Sequence, residues 1–483
     1  MRRPLGNRTD APMALLALLL FASLLLAAGA AGATKPKPKP SSAQPSRGTL
    51  TQLKGARGCI VAASKPVPGC GKARALVGPG PFMGSRAIAL SPNGKNVYVA
   101  SSASDAIAIF ARNPKTGTLS QPKGAAGCVA AKGAEGCGLA VGLDAPNSVA
   151  VSPDGLNVYA TARDSNSVAV FHRNRKTGAL VQLPPGSGCV AGLAIPGCVL
   201  GRALVGPDVV VISPDGKDVY VGSFFGNAVA EFSRDSSSGA LTQPTGTAGC
   251  IAEGAANGCA TGTALGAPEG LAIASDGTAV YVAAALSNAV SVLARDTTTG
   301  ALAQATDGSG CIVDAPLAGC TTGVQLAGAN AVITGPGGAF VTSLFSNSVT
   351  SFARPSSGTG LTQLPGTAGC LVQLRAVGCS FGRALEAPEG LAISPDGANV
   401  YVAAFATGAI AVLDRDRETG SAVQKVGARG CLAPRAVSGC TRGRALAGVS
   451  SIALSPDGRF VYATATESNA VDVFRRATPR RSR

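Results

Sequence analysis

One pattern recurs seven times along this chain, about every 61 residues, and no other feature narrows the fold as much. The fourth copy reads Glu269-Gly-Leu-Ala-Ile-Ala-Ser-Asp-Gly277, then Val280-Tyr-Val-Ala-Ala, then Ser287-Asn-Ala-Val-Ser-Val-Leu-Ala-Arg295, then Asp296-Thr-Thr-Thr-Gly-Ala-Leu-Ala-Gln304. Each piece is a short run of β-branched and small apolar residues bounded by turn formers, which reads as four strands, a to d from an axis outward. The turns are Ser-Pro-Asp-Gly between a and b, Ser-Asn or a relative between b and c, and Asp or Asn followed by Thr/Ser-Gly between c and d. Strand a starts at Arg86, Asn147, Asp208, Glu269, Asn330, Glu389 and Ser450. Such units, with no helical periodicity between them, predict an all-β seven-bladed β-propeller of four antiparallel strands per blade. Burial of each blade on both faces explains why b and c read as nearly continuous small hydrophobes.

A ring must close without leaving an edge exposed. The last copy stops after strand c, at Val471-Asp-Val-Phe-Arg475, while Gly48-Thr-Leu-Thr-Gln52 is a strand d without its own a, b and c. The N-terminal strand is therefore expected to complete the C-terminal blade, giving a propeller over residues 48–476. Ahead of it, residues 1–33 read as a signal peptide: Arg2, Arg3 and Arg8, an apolar run from Met13 to about Ala28, then Ala31-Gly32-Ala33. An uncleaved membrane anchor is the alternative. Residues 34–47, with Lys35-Pro36-Lys37-Pro38-Lys39-Pro40, form an extended linker, and residues 477–483 a basic tail. The net charge of +16 is concentrated at these ends; residues 48–474 carry only +5. A nearly balanced body with no basic stripe interleaved with aromatics argues against nucleic-acid binding. The segments place the protein outside the cytoplasm, secreted or in the cell envelope, as a monomer touching membrane only through an uncleaved leader.

All 14 cysteines fall into local pairs in the connections from strand d to the next strand a: Cys59/Cys70, Cys128/Cys137, Cys189/Cys198, Cys250/Cys259, Cys311/Cys320, Cys370/Cys379 and Cys431/Cys440. In an exported chain this even, regular set reads as disulfides, each confined to its loop. A zinc site would need thiolates two to four residues apart and further ligands, and the chain has one His.

Connectivity places these stapled loops and the b-to-c turns on one face of the disc, with the starts of the a strands. There Arg86, Asn147, Asp208, Glu269, Asn330, Glu389 and Ser450 form a polar ring at the channel mouth. Two readings stand: a binding site for a small molecule or protein, in which Asp208, Glu269 and Glu389 hold a divalent cation such as calcium, or side chains that only solvate a water-filled channel. Asp154, Asp215, Asp396 and Asp457 of the Ser-Pro-Asp-Gly turns are turn formers. Arg112, Arg173, Arg234, Arg295, Arg354, Arg415 and Arg476, which close every strand c, read as caps on carbonyls of the c-to-d turn. His172 lies on a c strand away from the axis, with no nucleophile assignable beside it. Blade one carries six extra residues before Arg86, within Val77-Gly-Pro-Gly-Pro-Phe-Met-Gly84, placed to cover part of the mouth.

Asn96-Val-Tyr-Val-Ala, Ser287-Asn-Ala-Val-Ser-Val and Arg295-Asp-Thr-Thr-Thr-Gly-Ala-Leu resemble the repeat of the YVTN and lactonase-type seven-bladed propellers, the group that includes 6-phosphogluconolactonase and carboxymuconate cyclase. The resemblance covers residues 48–476 and implies their fold. It also implies a His, Glu and Arg cluster in the channel, from which this chain departs with its single His172. Pro268-Glu-Gly-Leu and Pro388-Glu-Gly-Leu resemble inner strands of metal-dependent gluconolactonases, which would make Glu269 or Glu389 a metal ligand. The sequence thus supports an exported, non-catalytic binding or scaffold propeller, with catalytic residues unassigned. A lactone hydrolase is the alternative, in which a metal or Arg86 polarises the carbonyl and a carboxylate activates water.

Overall fold

Strands b and c have apolar side chains on both faces because both faces are interfaces. Tyr98, Ile107 and Ile109 of the first blade pack with Val149, Val158 and Ala160 of the second, and an equivalent cluster fills each later interface. The computed structural model describes residues 47–80, 86–254, 256, 258–434 and 437–478, so the expected signal segment, most of the linker, residues 81–84 of the blade-one insertion and the end of the tail lie outside the described residues. Among those described, seven sheets form the blades of a propeller, and no helix is long and apolar enough to cross a membrane.

Blade two shows the common plan. Strands a (Pro146–Val151), b (Asn157–Ala162) and c (Ser167–Arg173) form an antiparallel meander. Strand d is split: Leu180–Gln182 and Cys189–Ala191 both pair with c, separated by a turn. Beyond the expected four strands, Val199–Leu200 then adds a short outermost strand that runs parallel to the second half of d. Parallel neighbours normally need a long crossover. Here the Cys189–Cys198 disulfide holds the two segments side by side across a short loop.

The seven cysteine pairs are disulfide-bonded as expected: Cys59–Cys70, Cys128–Cys137, Cys189–Cys198, Cys250–Cys259, Cys311–Cys320, Cys370–Cys379 and Cys431–Cys440. Their setting differs from the expected one, because they are not confined to loops. The first cysteine of each pair is buried and belongs to the second half of strand d, paired with strand c, as Cys128 is with Ala108. The second sits at the edge of the blade: Cys320 opens the outermost strand, while Cys70, Cys137, Cys198, Cys259, Cys379 and Cys440 each come just before it. Strand d resumes its pairing with c after the turn that splits it, so the ladder reaches the first cysteine, and each bond ties a core strand to the blade edge.

Neighbouring blades are clasped at both ends. On the a-to-b turn face, the Arg that ends strand c lies beneath the previous blade's Tyr: Arg173 Nε donates to the Tyr98 hydroxyl at 2.6 Å, and that hydroxyl donates to the Gly178 carbonyl at 2.8 Å. The same Arg–Tyr bond recurs at Arg234–Tyr159, Arg295–Tyr220, Arg476–Tyr401 and Arg112–Tyr462. These arginines do cap carbonyls, but at the a-to-b turn of their own blade, as Arg173 Nη1 does at Gly155. The turn aspartates serve as turn formers and as partners of the next blade's Arg: Asp154 accepts from Ser152 and Leu156 and pairs with Arg234 at 2.6 Å. On the opposite face, the left-handed Asn that ends a b-to-c turn accepts a backbone N–H from the next d-to-a connection, as Asn166 does from Gly206 at 2.7 Å.

The ring closes as the sequence predicts. Leu50, Thr51 and Gln52 pair with Arg476, Arg475 and Phe474, and Cys59–Ala62 continues along the same strand c. Gly48 takes the place of Gly178, its carbonyl accepting from Tyr401 at 2.8 Å, and Arg47 pairs with Asp396 at 2.8 Å. Deletion of residues 47–52 should lower Tm by far more than loss of one hydrogen bond, which is worth about 1 kcal/mol; an unchanged Tm would contradict closure. The clasp makes a second prediction. Blade five has Phe340 where the six other blades have Tyr, five of which accept from an Arg Nε, and Arg415 Nε beneath Phe340 has no hydrogen-bond partner among the described residues. Phe340→Tyr should supply one and raise stability by about 1 kcal/mol, read as a higher Tm, whereas an unchanged or lower Tm would show that the hydroxyl contributes nothing there.

Candidate functional site

The seven a strands surround an axial channel, and their sequence divides it into two chemically different ends. The polar ring sits where the strands start. It is not open to solvent: Asn147, Asp208, Glu269, Asn330, Glu389 and Ser450 are all buried. Most of its members are engaged locally. Asn147 Nδ2 donates to Asp208 Oδ1 at 2.6 Å, Asn330 Nδ2 to the Pro388 carbonyl at 3.0 Å, and Thr342 to Asn330 Oδ1 at 2.9 Å. Ser450 donates to the Gly80 carbonyl at 3.3 Å, and Thr466 to the Pro79 carbonyl at 3.0 Å. The described start of the blade-one insertion therefore does lie on the ring, above blade seven.

Glu269 is the exception. Both its carboxylate oxygens are buried without a hydrogen-bond partner among the described residues. Burial, then the charges of Asp208 and Glu389, push its carboxyl up to about 9, against the pull of Arg163. Burial raises Asp208 to about 7, opposed by Arg163 and the Asn147 amide. Arg163, on the b-to-c turn of blade two, is the cation that sequence reasoning missed. Its guanidinium lies 4.8 Å from the rings of both Phe224 and Phe225 on the next blade, an arrangement visible only in three dimensions.

Calcium takes six to eight oxygens, and among the described residues no three His, Cys, Asp or Glu side chains come together to hold a metal. The glycines of the two Pro-Glu-Gly-Leu strands have a packing reason. A Cβ on Gly390 would stand 2.4 Å from the Ser450 carbonyl oxygen and one on Gly270 2.8 Å from the Asn330 carbonyl oxygen, so these inner strands close up only with glycine. His172 is exposed on strand c and pairs across to Val181, away from the channel.

The other end of the channel is open. A cavity of about 510 Å³ runs inward from Pro153, Pro214, Pro395 and Pro456 of the a-to-b turns. Its wall is a collar of the fifth residues of the a strands, Leu90, Val151, Ile212, Ile273, Ile393 and Leu454. The lining holds one charged residue, Arg86, whose Nη2 donates to the Val332 carbonyl of blade five at 3.1 Å, across the axis. Arg86 is partly exposed, and burial of its guanidinium lowers it to about 10. Of the seven expected ring residues, Arg86 alone lines this cavity. The signal for the cavity was present in sequence, as an apolar residue at the end of strand a where a solvent-facing strand end is ordinarily polar.

The buried acids set a pH dependence. Both keep a proton in the fold where the unfolded chain, with carboxyls near about 4, releases it. Their contribution to stability is complete below about pH 4 and is lost as pH rises through about 7 at Asp208 and about 9 at Glu269. Glu269→Gln and Asp208→Asn should therefore flatten the fall in Tm between about pH 5 and about pH 9; variants whose Tm falls as steeply as that of the unaltered chain would contradict this placement.

Comparison with known proteins agrees with the architecture. The sequence profile described as "Lactonase, 7-bladed beta-propeller" matches residues 75–130 and 204–313. Among solved structures, the chain is similar to hydrazine synthase of Kuenenia stuttgartiensis, at 18% identity and a TM-score of 0.51, over 83% of this chain and 98% of that one. It also aligns with putative 6-phosphogluconolactonases from Bacteroides fragilis (19% identity, 70% of this chain and 81% of that one, TM-score 0.48) and Bacteroides uniformis (16%, 81% and 91%, TM-score 0.49). No curated protein matches. In its fold the chain is a seven-bladed β-propeller closed by its own N-terminal strand, and two of its stretches are similar to the lactonase family of such propellers.

Proposed function

We propose that this protein is an exported, non-catalytic binding propeller whose ligand enters the open end of the axial channel. The observation that carries this reading is the division of the channel. The carboxylates that a hydrolase would use are buried in the polar ring, whereas the accessible cavity is walled by aliphatic side chains. A general base must be ionised at the working pH and within hydrogen-bond reach of the water it activates. Glu269, pushed to about 9, keeps its proton at neutral pH and is shut off from solvent. Asp208 is held by the Asn147 amide. Seven disulfides support export, since they persist in oxidising compartments.

The test is direct. Sugar lactones incubated with the full chain in a pH-stat should open no faster than in buffer. A protein-dependent rate that disappears in Glu269→Gln or Asp208→Asn would overturn the reading in favour of a lactone hydrolase.

A further inference from the structure

The open cavity states the chemistry of its own ligand. Its lining side chains are mainly aliphatic, with Ser451 and Ser455 among them, and among the described residues the only charge along it is the Arg86 guanidinium at the inner end. A guanidinium has five N–H donors. Among the described residues Arg86 uses one, from Nη2 to the Val332 carbonyl, and no carboxylate among them lies within ion-pair distance of it. Asp208 and Glu269 do not neutralise it: the opposing charge that they feel is that of Arg163. An unpaired cation at the closed end of an apolar tube is costly unless an anion joins it, and a planar carboxylate matches the guanidinium fork.

The aliphatic collar disfavours more polar anions, although Ser451 and Ser455 also line the cavity. A phosphate ester, a sugar acid or a dinucleotide would bring hydroxyls or further charges against Leu90, Val151, Ile212, Ile273, Ile393 and Leu454, which offer them no partner. An aliphatic or aryl tail buries there favourably, at roughly 25 cal/mol for each Å² removed from water. The size agrees as well. About 510 Å³ lies within the range of small-molecule sites, and the four residue steps from Arg86 to Leu90 span about 13 Å of extended chain.

We propose that the axial cavity is a site for an amphiphilic monocarboxylate, with its carboxylate on Arg86 and its apolar tail inside the collar. This rests on the binding-propeller reading above and names its ligand class. Free acyl acids and compact aromatic acids share that chemistry, so the probes are octanoate and benzoate.

Calorimetric titration of the full chain decides it, with octanol and octylammonium as probes of equal tail and different charge. Octanoate should bind one to one, at least tenfold tighter than octanol or octylammonium, and at least tenfold more weakly to Arg86→Met, which keeps an apolar stem. Octanoate tighter than benzoate assigns the site to acyl chains, and the reverse order to aromatic acids; either order supports a monocarboxylate site. The comparison among charge types uses only the unaltered protein, so it stands if Arg86→Met fails to fold. Val151→Phe, which narrows the collar without touching Arg86, should weaken octanoate as well. No octanoate binding, or equal binding of octylammonium, would overturn the carboxylate assignment and leave a binding propeller standing. Lactone turnover in the pH-stat would instead remove the reading on which it rests.

Discussion

Everything in this molecule depends on how one blade is fixed to the next, and the buried arginine at the end of strand c does that at most interfaces. A blade made of Val, Ala, Ile and Gly offers flat faces that pack well at many relative angles. The Arg–Tyr–Asp clasp chooses one. Arg234 holds its own Gly216 carbonyl, the Tyr159 hydroxyl and Asp154 of the preceding blade at once, while its side chain is 1% exposed. A buried guanidinium is stable only with such partners in place. The geometry that satisfies it therefore also sets how closely the a strands approach, and with that the width of the channel.

The clasp also explains how a linear repeat becomes a closed ring. Gly48, at the N-terminal end of the folded body, accepts the Tyr401 hydrogen bond that a c-to-d turn glycine accepts elsewhere, so the last interface is built from the same parts although the chain is broken there. The disulfides act at the opposite rim. They pin the d-to-a connections whose backbone is read by the next blade: Gln182 both accepts from the Val141 N–H and donates to the Val141 carbonyl. Each staple closes a short loop, which limits its global contribution to a few kcal/mol by loop entropy and makes its main effect local order.

How much of this was legible in sequence follows from which features are local. The blade count, the N-terminal closure and the cysteine pairing are carried by spacing and turn chemistry, and the structure has them as read. The outermost parallel strand was not legible, because it arises from the disulfide folding two short segments together; for the same reason Cys128 and Cys137 read as loop residues, although the first lies on strand d and the second at the blade edge. The arginine role was right in kind and, at Arg354 on the Gly358 carbonyl, in place; elsewhere, as at Arg173, it shifts to the a-to-b turn and bridges to the previous blade, which no local pattern reports. In the structure the polar residues stand at the starts of the a strands and, Arg86 apart, are buried. That they are buried, beside the charge of Arg163 on a b-to-c turn, is not legible from local spacing. The aliphatic collar was visible as Leu90, Val151, Ile212 and their equivalents, but it looks like ordinary core until the axis is seen to be hollow there.

The central claim is that the channel has a closed, proton-holding polar end and an open, aliphatic end, and that function belongs to the second. Glu269 is where this claim is most exposed, because a carboxyl that is solvated or bound to a metal would be ionised at neutral pH. An infrared difference spectrum between the unaltered chain and Glu269→Gln at pH 7 reads its state directly. The account predicts the loss of a protonated-carboxyl C=O band. Loss of carboxylate stretches in its place would contradict it and return the search for function to the polar ring.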